Sequence, residues 1–464
     1  MVSCIPRFVS PLAMTAQPPD HRLPTAASLQ PLLQEALDRA RQAGATQAEA
    51  SLSISRGYSV SVRKSEVESL EFQHDRDLSV TVYKGRRKGN ASTGDLSQAG
   101  IEEMVRAASA IASATSEDPC NGLAEAALMA QEFPDLDLHH PWALTPEAAV
   151  DLARECEAVA MGVDARITQS EGAGISTHEG IALYANTHGF MGVRRGTTHS
   201  LSCAVVASQG EEMQRDYWYS NARRPTDLLS AEAVGRKAGE RSVARLGARK
   251  LGTRQAPVLF PYELARGFWG HFVGAISGGA LYRKASFLLD QMDQPVFSPM
   301  VRLEQKPFLP RGAASANYDS EGVATRERVL VEDGVLRGWL LGSYSARKLK
   351  LETTGNAGGV FNLVVKPGQH DFRQLVRDMG QGLIVTELLG SGVNGVTGDY
   401  SRGAAGFWVE NGEIAYPVQE LTIAGNLREM FKGIAAIGND VDTLANIRTG
   451  SVLIERMTIA GGEE

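Results

Sequence analysis

The chain has 464 residues, 43% of them hydrophobic, with 47 Lys and Arg against 54 Asp and Glu for a net charge of -7; its mean hydropathy is -0.17 and its pI near 5.8. That length carries two or three domains with a large core, and the composition is that of an ordinary globular protein. No apolar run approaches a bilayer span and the acidic balance lacks the basic footprint of a nucleic-acid binder, so the expectation is no membrane and no nucleic acid.

The first segment, 1–27, holds Pro6, Pro11, Pro18 and Pro19 and offers no secretory h-region, which reads as a disordered leader on a cytoplasmic protein. Nothing before Met14 patterns as structure, so Met14 is an alternative start. Leu29, Leu32, Leu33, Leu37 and Ala40 share a helical face, with Ser28 as cap and Gly44 as stop. Alternation at Leu52 and Ile54, Tyr58 to Val62, Leu70 and Phe72, and Leu78 to Val82 predicts four short strands. A second amphipathic helix spans 97–112, and Glu117 to Pro141 reads as a crossing segment. Thr145-Pro146-Glu147 opens a third helix, running to Met161. Strands around Ile181, Leu201 and Met213 to Tyr219 follow, then a polar helix from Asp227 to Leu246.

The expected fold is therefore α+β in two domains: an N-terminal helix-flanked sheet over 28–240, and over 241–464 a largely antiparallel β domain with few helices. The latter carries a helix over 261–281. Asp333-Gly334 and Asn411-Gly412, each between apolar alternations, predict two-residue hairpins. Beyond this shared hairpin form no sequence repeat is evident, and whether the C-terminal sheet closes into a barrel is left open.

Motifs for chemistry are sparse. Cys4, Cys120, Cys156 and Cys203 lie far apart and form no metal-ligand spacing, and Cys156 sits at helical spacing among apolar residues as a core thiol. Gly390-Ser391-Gly392-Val393-Asn394-Gly395 satisfies a dinucleotide pattern, but Gly398, Gly403 and Gly406 break the helix that pattern requires, which leaves a tight loop. His178-Glu179 begins like a zinc helix but lies in strand sequence, and His139-His140 reads as a solvated pair. His271, in Arg266-Gly267-Phe268-Trp269-Gly270-His271, is a lone imidazole beside aromatics.

Longer segments are more specific. Phe268 to Leu281, Ser343 to Leu349, Thr354 to Gly359, Thr397 to Gly412, Ile423 to Asn426 and Ile437 to Asp440 resemble the TldD/PmbA family, the modulators of DNA gyrase, in its PmbA (TldE) branch. In the TldD branch, the resemblance implies, a His-Glu-x-x-x-His helix and a later cysteine hold a catalytic zinc. Here Arg266 stands at the first histidine, Gly267 at the glutamate, His271 at the second histidine and Gly450 near the cysteine. One imidazole cannot hold a catalytic zinc, a missing carboxylate leaves no general base, and Arg266 would set a cation beside the metal.

The resemblance thus implies no catalytic residue and no metal or other cofactor in this chain. Zinc is expected in a partner subunit, a TldD-like metalloprotease, with which the chain would cleave extended peptides in peptide maturation or antitoxin turnover. A self-dimer is an alternative assembly for the isolated chain. The hairpins at Asp333-Gly334 and Asn411-Gly412 suggest strand edges for a peptide to pair with. The competing reading is a self-sufficient hydrolase in which His271 joins Asp399, His188 or His199.

Overall fold

A computed structural model describes residues 23–462. Most of the expected leader, and the Met14 alternative, lie outside the described residues. Its last residues are corrected: Leu23 is buried in the core and α1 (Ala26–Gln42) begins before residue 28. The cap is Thr25 rather than Ser28, whose N–H instead donates to the Thr25 hydroxyl. Gly44 does follow the helix, with φ of 84°.

The N-terminal half is built twice on one plan. The first unit runs α1, β1 (Gln47–Arg63), β2 (Glu66–Lys84), β3 (Arg87–Thr93) and α2 (Gln98–Ala114). The second runs α3 (Pro146–Gly162), β4 (Ile167–Asn186), β5 (Met191–Gln209), β6 (Glu212–Ala222) and α4 (Ala231–Ala244). The meanders join through the antiparallel β1–β4 pair into one six-stranded sheet, ordered β3-β2-β1-β4-β5-β6. Each helix starts at a Ser or Thr whose hydroxyl accepts a backbone N–H: Thr25, Ser97, Thr145 and Ser230. The duplication is structural and left no repeat in the sequence.

The four expected short strands are two long ones. Leu52, Ile54, Tyr58, Val60 and Val62 share one parity, so a single strand sends them all to the helix-covered face. The turn between β1 and β2 is Lys64-Ser65, both in the left-handed region at φ 54° and 62°. Neither residue favours that conformation. The buried Glu157 of α3 supports it, its carboxylate accepting both backbone N–H groups at 2.8 and 2.7 Å. The opposite face of the sheet is small and polar, with Ser51, Ser53, Ser55, Ser59 and Ser61 on β1 alone.

The chain enters its C-terminal half between Ala244 and β7 (Arg254–Phe260). There α5 (Tyr262–Ala275) and α6 (Gly278–Tyr282) precede β8 (Leu303–Gln305), β9 (Arg328–Glu332), β10 (Val335–Leu336), α7 (Ser343–Leu349), β11 (Leu363–Val365) and α8 (Phe372–Met379). Next come β12 (Gly382–Leu389), β13 (Asp399–Glu410), β14 (Glu413–Asn426), α9 (Leu427–Lys432), β15 (Ile434–Ile437), β16 (Ile447–Arg448) and β17 (Val452–Ala460). Strands pair in the order β14-β13-β12-β7-β17, and a further β14–β17 pairing closes the sheet on itself. This settles the barrel question, because the ring β7-β12-β13-β14-β17 returns to its start. A second sheet, β10-β9-β8-β11-β16, lies beside it.

Both predicted hairpins form, with Asp333-Gly334 at φ 49° and 77° and Asn411-Gly412 at 52° and 77°. The single helix expected over 261–281 is corrected to two. Ile276 and Gly278 pair through backbone hydrogen bonds with Leu340, which pulls the chain out of helical register, and Ser277 then caps α6. Among the described residues no helix is long and apolar enough to cross a membrane.

Candidate functional site: a helix with one bare face

At about 100° per residue, the buried side chains of α5, Ala265, Phe268, Trp269, Phe272 and Ala275, fall within an arc of roughly 120°. They enter the main C-terminal core, where Phe268 meets Phe431 edge-on at 5.1 Å and Trp269 Nε1 donates to Thr449 Oγ1 at 2.9 Å. Gly267, Gly270 and Gly274 occupy the opposite arc with His271. A Cβ at any of the three glycines would meet nothing within 4 Å. Each glycine in a helix interior costs about 1 kcal/mol relative to alanine, and no neighbour among the described residues requires it.

The first turn of α5 is fixed to the N-terminal half. Glu263 accepts from Arg241 of α4 at 3.1 Å, and Arg241 in turn holds the nearly inaccessible Asp216 of β6 at 3.1 Å. Arg245 pairs with Asp216 at 3.6 Å and with Glu387 of β12. Arg266 donates to Tyr219 Oη at 2.7 Å and pairs with Asp442 at 3.4 Å. Arg266 and His271 therefore leave the helix about 140° apart. The Arg266 guanidinium is engaged at the junction with the N-terminal half, by Tyr219 and Asp442.

The cation beside His271 is Arg402 of β13. Both line a cavity of about 470 Å³ between α5 and the Gly390–Gly395 loop that joins β12 to β13. The His271 ring meets Tyr400 edge-on at 5.9 Å, and burial together with the Arg402 guanidinium holds its pKa below the ordinary histidine value. Arg402 Nη2 donates to the Leu388 carbonyl at 3.3 Å, while its buried Nε has no partner. Sequence reasoning missed Arg402 as a site residue. The glycine loop was the available signal, and it is a tight strand connection with no helix after it.

The other candidates are dispersed. His199 is held by Thr177 Oγ1 and the His140 carbonyl, both at 2.9 Å; His188 reaches the Ala124 carbonyl at 3.1 Å; Asp399 pairs with Thr397 and Asn426. None of them lines the cavity with His271. Gly450 does not line it either, and a Cβ there would collide with the Gly438 carbonyl oxygen. A thiol at Gly450 therefore needs the backbone to move. Among the described residues no group of three or more His, Cys, Asp or Glu could hold a metal ion. One neutral imidazole beside a permanent guanidinium does not fit a catalytic zinc, which takes three protein ligands.

Family comparisons give this arrangement its class. Family models described as PmbA/TldA metallopeptidase domain 1, central domain and C-terminal domain match residues 48–112, 139–246 and 253–461. The first two fall on the two halves of the single N-terminal sheet. The three matches together place the chain in a class built from PmbA/TldA metallopeptidase domains.

Relatives narrow that class. The chain is 49% identical over 414 residues to metalloprotease PmbA of Escherichia coli O157:H7, covering 89% of this chain and 92% of that protein. It is 45% identical over 427 residues to a metalloprotease PmbA homolog of Haemophilus influenzae, covering 92% and 94%. A Bacteroides thetaiotaomicron structure described as a modulator of DNA gyrase superposes with a TM-score of 0.90 at 28% identity, covering 94% of this chain and 99% of that one. The chain belongs to the PmbA/TldD family.

Proposed function

We propose that the chain is the non-catalytic partner subunit of a TldD-like zinc metalloprotease, which together cleave extended or unfolded peptides in the cytoplasm. The observation that carries this reading is the bare face of α5. Its one imidazole has no second histidine, no carboxylate at Gly267 to move a proton and a fixed cation beside it. Hydrolysis at a metal needs donors that leave a coordination position open and a base that takes the water proton. In this reading the partner supplies both.

Peptide pairing is better supported at one hairpin than at the other. The ring closes at Thr422–Ala424, away from Asn411-Gly412, so among the described residues the β14 edge is bridged before that only by Arg249 at Val418, whereas Pro295 bridges Val335 beside Asp333-Gly334. The bare face of α5 is a second surface for peptide contact. The test is coexpression with a TldD-like chain, copurification, and a peptidase assay of each subunit and of the pair. Cleavage by the pair and none by this chain is expected; cleavage by this chain alone at the rate of the pair overturns the proposal.

A further inference from the structure

We propose that the cavity beside α5 binds a carboxylate attached to a short apolar group, as at the C-terminal end of a peptide, with Arg402 as its charge partner. The cavity has the volume of a small-ligand site, about 470 Å³, within the usual range of roughly 300–1,000 Å³. Among the described residues no Asp or Glu lines it, so none of them neutralises Arg402 there. The buried Nε of Arg402 has no partner and Nη2 donates to the Leu388 carbonyl, so the guanidinium charge is not satisfied by an acid and a carboxylate in the cavity would pair with that charge.

The surroundings decide which anion. A phosphate monoester brings close to two charges, whereas a single guanidinium lines this cavity, which suits a carboxylate. Further donors are at hand in the loop. The backbone N–H groups of Ser391 and Gly395 have no acceptor among the described residues, and both residues line the cavity. Phe287, Val393 and Leu427 form an apolar wall for a short side chain. Gly270 and Gly274 leave the helix surface bare, so a ligand main chain can lie against it without meeting a Cβ. This assigns a use to the glycines that the fold of the chain does not require.

The inference rests on the non-catalytic reading only for why α5 is left open. Titration uses the isolated full chain, so failure to bind leaves the partnership untested and standing, and failure to find a partner leaves the binding result intact. The probes are N-acetyl-Ala-Leu with a free carboxylate, the same dipeptide as its C-terminal amide, free leucine and acetate, followed by calorimetry. The free acid should bind at least about tenfold more tightly than the amide, the size of a charge-assisted hydrogen bond.

Arg402→Gln should abolish that preference. Gly270→Leu, whose side chain enters open space and fills the cavity, should abolish binding while the melting temperature holds. Tighter binding of the dipeptide acid than of leucine or acetate assigns a peptide end; the reverse order assigns a free small acid, and either order sustains the carboxylate. Equal binding of acid and amide, no binding of any probe, or undiminished binding by Arg402→Gln overturns the proposal.

Discussion

The two faces of α5 are made to opposite rules. One packs Phe268, Trp269 and Phe272 into the largest described core, and the other carries three glycines where an added Cβ would meet nothing within 4 Å. The packed face explains why the helix is there. The bare face cannot be explained by folding, because alanine at those positions would be the more stable choice, so its cause lies in what the helix meets from outside.

Substitutions on each face should therefore differ in size and sign. Trp269→Ala should cost about 3–5 kcal/mol in urea unfolding, through the cavity it leaves, and it also takes a hydrogen bond from Thr449. Asp216→Ala should cost about 3 kcal/mol, because Arg241 and Arg245 would keep their buried charges without their shared carboxylate. Gly450→Ala should destabilise by about 2 kcal/mol as an overpacked site, since its Cβ meets the Gly438 carbonyl. Gly267→Ala should do the reverse and stabilise by about 1 kcal/mol. A loss at Gly267 would mean that the bare face is packed in the folded chain.

The smallest effect is a pH dependence. His271 has a folded pKa below its unfolded value, so near neutrality it is unprotonated in both states. As pH falls through the unfolded value of about 6.5, the unfolded chain takes up a proton that the folded chain refuses, and stability declines. His271→Gln should remove that contribution, seen as a shallower fall in unfolding free energy between pH 7 and pH 5. An unchanged slope would place the ring in open water.

Much of this comparison was legible in the sequence where the causes are local. Thr145 caps the helix it was expected to open, and the Asp-Gly and Asn-Gly turns form because two residues suffice to fix them. The signals failed where distant parts act. Lys64-Ser65 turns because Glu157 of α3 holds it, and the break after α5 is imposed by Leu340. The length of β1 was readable from the shared parity of Leu52 to Val62, but the local run around Ser55-Arg56-Gly57 obscured it. At the site, the absence of donors at Gly267 was plain, whereas Arg402 comes from a strand more than a hundred residues away and only folding brings it to His271.

The central claim is that α5 carries no metal site of its own. Elemental analysis of the purified chain, loaded with zinc and passed through gel filtration without any partner, tests it most directly. The account predicts well under one zinc per chain and no change in His271→Ala. One zinc per chain, removed by His271→Ala, would contradict it.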